Sequence, residues 1–327
     1  MNPVDWLLEP NADPAIRWQA RRDLTDASTA EVNAERARVA REGLGAAILA
    51  AQQPDGAWRR GDAPAWLTTL FTLQLLRATG VDPGDGAVQS ALTRAETSLR
   101  WSDYGGRWDV RAPEFSGPSG ANPFFEGEEE PCINGGVLAF GAYFGHPNEK
   151  LARRLLSEQL EDGGWNCEAP KRSTVSSFHT TICVLEGLLE YERAVVASGE
   201  GAVAGQVAEA RRQGEEYLLE RSLFRRRSTG EVVHADFLTF AFPPRYEYDV
   251  LRGLEYFRAA GAVRDPRMAE AVEVVKGRQQ ADGRWLLDRT HGEVLAASVG
   301  ERVGEPSRWN TLRALRVVRW HGYPQSD

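Results

Sequence analysis

Gln159-Leu160-Glu161-Asp162-Gly163-Gly164-Trp165 decides the reading of this chain, because the pattern occurs twice more. Gln52-Gln53-Pro54-Asp55-Gly56-Ala57-Trp58 precedes it, and Gln279-Gln280-Ala281-Asp282-Gly283-Arg284-Trp285 follows. A weaker copy is Tyr104-Gly105-Gly106-Arg107-Trp108. The tryptophans lie about 50 to 60 residues apart, with the last interval twice as long. Such a period points to stacked supersecondary units rather than two independent domains.

Working outward, residues 147–160 place Leu151, Leu155, Leu156 and Leu160 at helical spacing with charges between them, an amphipathic helix. The Asp-Gly pair is expected to stop that helix, since glycine takes a left-handed cap cheaply, and the tryptophan to pack back over the turn. After a loop of varying length comes a helix apolar on most sides, as in 68–76 and 180–188. Six such inner helices align: Arg17-Trp18-Gln19-Ala20, then 66–76, 132–140, 178–188, 248–254 and 309–318. Six inner helices need six outer ones to cover them. A closed ring has no ends, whereas an open solenoid needs polar caps that this sequence lacks. The expectation is one all-α domain over 1–327, an (α/α)6 toroid of about six helical hairpins, with an irregular insertion near 222–247.

The 327 residues are 42% hydrophobic and 26% charged, as expected of a soluble globular protein with a sizeable core. A net charge of −8 argues against a general nucleic-acid binder. Three cysteines, Cys132, Cys167 and Cys183, cannot make a disulfide framework. The N-terminus has no apolar signal core, and no stretch approaches the ~18 apolar residues of a membrane span. A cytoplasmic location is expected, and no protein partner is indicated.

The Q-x-x-D-G-x-W repeat resembles that of squalene and oxidosqualene cyclases and of protein prenyltransferase β-subunits, over about 17–320. That resemblance implies an α/α toroid with a central cavity. The Asp-x-Asp-Asp acid of the cyclases is absent, as is the Asp-Asp-x-x-Asp of metal-dependent terpene synthases. The prenyltransferases bind zinc through an Asp-x-Cys opening one inner helix and a His opening the next. Here Glu130-Pro131-Cys132 opens one and Phe178-His179-Thr180-Thr181 the next. The resemblance therefore implies Zn2+ held by Glu130, Cys132 and His179, which would also be the catalytic residues, with Cys167 a further candidate ligand. Thiolate, imidazole and carboxylate are groups that zinc accepts, and three protein ligands leave a position open for chemistry. One departure is the run at 124–129, acidic where that family places an Arg and a Lys for diphosphate.

The expected function is thus a metal-dependent enzyme acting on a small apolar substrate, isoprenoid in type. Prenyl or other group transfer is favoured over cyclization or hydrolysis. Trp18, Trp66, Tyr246, Tyr248, Asp249 and Trp309 would line the cavity, because electron-rich ring faces suit an isoprenoid chain or carbocation. Two alternatives stand beside it: a non-enzymatic ligand-binding toroid, and a metal-free cyclase using Asp249 or Asp236 as its acid. The segment 224–249, which carries His234, is either a lid or a structural plug.

Overall fold

All three copies of the repeat are built in the same way. The Trp58 backbone N–H donates to Thr69 Oγ1, that of Trp165 to Thr181 Oγ1 and that of Trp285 to Thr311 Oγ1, each at 3.0 Å. The indole N–H groups donate at 2.7 Å to the Ile48, Leu155 and Val275 carbonyls of the preceding helices. Gln52, Gln159 and Gln279 each donate their amide to the carbonyl of the repeat glycine. The three tryptophans are fully buried. Each copy thereby ties an outer helix to the inner helix that follows it.

In the computed structural model, residues 2–101, 123–199, 203–291 and 294–322 are described; the weak copy ending at Trp108 lies outside them. Gly56, Gly163 and Gly283 adopt φ of 82°, 91° and 84°. They do not cap the helices, however. Those helices end at Ala50, Ser157 and Gly277, several residues earlier. The glycines instead close tight turns in which Gln53, Leu160 and Gln280 accept the glycine N–H. A Cβ on Gly163 would lie 2.5 Å from the Gln213 carbonyl oxygen, so side-chain-free backbone is required twice over.

The chain divides into two compact units, Met1–Gly45 with Leu218–Gly292 and Val299–Asp327, and Ala46–Tyr217 with Glu293–Ser298. The first unit holds the inner helices α2 (Pro14–Leu24), α11 (Val250–Ala259) and α13 (Arg308–Gly322). Around them pack α1 (Pro3–Leu7), α3 (Thr29–Arg36) and α12 (Ala269–Gly277). A two-stranded antiparallel ladder, β1 (Trp285–Leu286) with β2 (Pro306–Ser307), pairs Trp285 with Ser307. Helix α4 (Gly43–Ala50) leads into the second unit, whose inner helices are α5 (Ala65–Thr79), α7 (Pro131–Tyr143) and α9 (Phe178–Ser198). Its outer helices are α6 (Gly86–Ser98), α8 (Glu149–Ser157) and α10 (Ala204–Leu219). All six expected inner helices are present.

Local chemistry sets these boundaries. Asp13 caps α2, accepting the Ala15 N–H at 2.8 Å, and Pro14 occupies the first turn, where its missing N–H costs nothing. Ser177 caps α9, and Gly80 at φ 65° ends α5. Helices α7 and α9 cross with their backbones close together. A Cβ on Gly135 would sit 2.4 Å from the Cys183 carbonyl oxygen, and one on Gly187 2.5 Å from that of Gly135. The backbones therefore touch there, which fixes where the first turns of both helices lie.

The irregular segment after α10 is anchored within the first unit. Arg289 donates to Thr239 Oγ1 at 2.6 Å, and the Phe240 N–H and carbonyl bond to Asp288. Phe237, Phe240 and Phe242 are buried. Among the described residues no helix is long and apolar enough to cross a membrane.

Candidate functional site

The acidic run before α7 is folded onto the protein rather than left in solvent. Asn134, one turn into α7, accepts the Glu128 N–H at 2.7 Å and donates to the Glu128 carbonyl at 2.9 Å. Gly127 makes the approach possible: at φ 78°, a Cβ there would lie 2.3 Å from Asn134 Oδ1. Glu128 is left 5% exposed, its carboxylate accepting the Glu129 and Glu130 N–H groups. Burial pushes its carboxyl well above the usual carboxylate range. The Glu130 N–H opposes that shift, and the neighbouring Glu130 charge adds to it. Lys150 pairs with Glu126 at 3.3 Å and Lys171 with Glu129 at 3.7 Å, so basic residues do reach the run.

Beside Glu128 lie two thiols. Glu130, Cys132 and Cys167 place their carboxylate oxygen and sulfurs within 4.8 Å of one another, and Cys132 Sγ is 3.6 Å from Glu130 Oε2. The proximity of the two sulfurs sets them apart. It raises the Cys132 thiol, with burial adding, and lowers that of Cys167, which the Thr180 hydroxyl also favours as thiolate. These three residues could hold a thiophilic cation.

His179 is not in this group. Phe178 turns onto Tyr217 with ring centroids 5.5 Å apart, while Thr180 donates to Cys167 Sγ at 3.4 Å. At 3.6 residues per turn, a one-residue offset rotates a side chain by about 100°. Thr180, not His179, therefore takes the position facing Cys167. Neither Thr180 nor Glu128 was singled out from sequence. The threonine sits in an apolar helix without periodic signal, and the glutamate sits in a run that reads as solvated.

The expected cavity residues are scattered in role. Trp66 packs on Trp101 at 5.6 Å in the second unit. In the first, Trp18 is buried with the Arg22 and Arg36 guanidiniums over its ring, and Tyr248 is buried with its hydroxyl bonded to the Leu223 carbonyl. Asp249 caps α11 through the Arg252 N–H at 2.8 Å, Tyr246 is exposed, and Asp236 lies at the surface near His234 and Arg289. Trp309 stacks on Phe242 at 4.3 Å. It lines a cavity of about 500 Å³ with Trp6, Asp13, Glu301 and Arg308. Burial raises both Asp13 and Glu301. Their oxygens accept the Ala15 and Leu44 N–H groups and those of Arg308 and Trp309.

No family model matches the chain, and no curated protein matches it. Among solved structures it is similar to one described as glycosyl hydrolase family 88 from Bacteroides vulgatus. The two share 12% identity over 97% of each chain, with a TM-score of 0.51. Likeness at that identity speaks for the fold, the all-α, α/α-toroid class expected from the repeat. It corrects the family reading: the neighbour is a glycosyl hydrolase, not a squalene cyclase or prenyltransferase β-subunit. The terpenoid, zinc-dependent transferase acting on an isoprenoid substrate falls with it. The physical reason is plain in the repeat, which is a set of backbone ties between helices and carries no chemistry of its own.

Proposed function

We propose that the protein cleaves glycosidic bonds by acid–base chemistry, with Glu128 as proton donor and Glu130 as its carboxylate partner. The observation that carries this reading is the pair itself. One carboxyl is buried and pushed well above the usual range, and a half-buried one lies two residues away. Carboxyl pairs in unlike environments divide acid and base roles. In hydrolysis the Glu128 proton goes to the departing glycosidic oxygen, while Glu130 takes one from the water that adds to the sugar carbon. The fold-level likeness to a glycosyl hydrolase supports the substrate class. Cytoplasmic residence belongs to the same reading, supported by three free cysteines.

The test is a panel of chromogenic glycosides, oligosaccharides and polysaccharides, read by released aglycone or new reducing ends. Glu128→Gln and Glu130→Gln should each lower kcat by roughly 100-fold or more with the fold intact. Activity should fall as rising pH strips the Glu128 proton. Failure to turn over any glycan, or full activity in both variants, overturns the assignment.

A further inference from the structure

Acid–base cleavage makes no use of the two sulfurs beside Glu130, yet they are placed as a pair. Cys132 lies in the first turn of α7 and is buried. Cys167 lies half-buried in the turn that precedes α9. The two sulfurs lie within 4.8 Å of one another, and the Thr180 hydroxyl donates to Cys167 Sγ. Cys183, the third cysteine, is buried inside α9 and outside this group.

We propose that Cys132 and Cys167 form a reversible dithiol–disulfide couple that exchanges with low-molecular-weight disulfides. Cys167 is the more exposed of the two residues, so an incoming disulfide meets it first. Its sulfur attacks one sulfur of the small disulfide. A mixed disulfide forms, and the other half leaves as a thiol with the Cys167 proton. Cys132 then attacks the Cys167 sulfur, and the second small thiol leaves with the Cys132 proton. Two protein thiols and one small disulfide thus become one protein disulfide and two small thiols. Closure draws the sulfurs to about 2.0 Å. The turn carrying Cys167 supplies that movement, since α7 is held against α9 by the contact at Gly135.

The experiment treats the reduced full-length protein, with a chelator present, with oxidised glutathione, then counts thiols by alkylation and intact mass. The expected product has lost two of its three thiols and two hydrogens. It carries no glutathione, has no disulfide to a second chain and reverts with dithiothreitol. Cys132→Ser should trap one glutathione on Cys167. Cys167→Ser should react roughly tenfold or more slowly, because only buried thiols remain. Circular dichroism confirms that both variants are folded. A stable glutathione adduct on the wild type, three surviving thiols or cross-linked dimers overturn the proposal. The readout needs no glycan, so it stands or falls apart from the proposed activity.

Discussion

His291 shows how far surroundings alone can move a residue. Burial lowers its proton affinity, the charges of Arg289, Arg245 and Arg252 lower it further, and its pKa drops from 6.5 to about 4. Its Nδ1 lies 2.8 Å from Glu247, and its buried Nε2 has no partner among the described residues. The folded state therefore prefers the neutral ring. As pH falls from 6.5 towards about 4, the unfolded chain takes up a proton that the folded one refuses, and stability is lost across that window. The melting temperature of the wild type should fall more steeply over this interval than that of His291→Gln, in which the titration is removed. Parallel curves would show that the imidazole is not held neutral.

At the level of elements, the ties between turns and inner helices should outweigh propensity. Thr181 accepts the Trp165 N–H and donates back to the Trp165 carbonyl at 3.3 Å. Thr181→Val keeps the shape but orphans a buried N–H, which should cost about 1–3 kcal/mol in denaturant unfolding. An unchanged midpoint would mean that the turn repacks without it. The crossing of α7 and α9 offers a sharper contrast. On Gly135 a new methyl meets the Cys183 backbone, whereas on the next residue, Gly136, it meets only the Gln74 amide at the end of a flexible side chain. Both substitutions add the same helix propensity. Gly135→Ala should nevertheless destabilise by about 1–3 kcal/mol more than Gly136→Ala, because backbone cannot step aside. Equal costs would remove the crossing as the device that sets the two helix starts.

Across the whole molecule, what the sequence revealed was whatever repeats or saturates a helix with apolar residues. The D-G-x-W turns recur, and helices such as 180–188 are apolar nearly all round, so the toroid class and the six inner helices were legible. The threonines that hold the turns were not, since one hydroxyl in an apolar helix breaks no pattern. The meeting of Cys132 with Cys167 depends on the path of the 165–181 loop, which no periodicity encodes. Glu128 was hidden by its acidic neighbours, and what buries it is Asn134 reaching back across Gly127. The repeat itself misdirected the functional reading, because a tie between helices can be shared by proteins with unrelated chemistry.

The same tie has an evolutionary corollary. From tryptophan to threonine the three copies span 11, 16 and 26 residues, yet the bond that closes each is 3.0 Å. Each intervening stretch is stapled at both ends, so it can lengthen or change composition without shifting the scaffold beneath it. Cys167 sits on the second of these stretches, and His291 and Glu301 on the third. New side chains can thus be auditioned over an unchanged frame, and those stretches are where a designer would graft them.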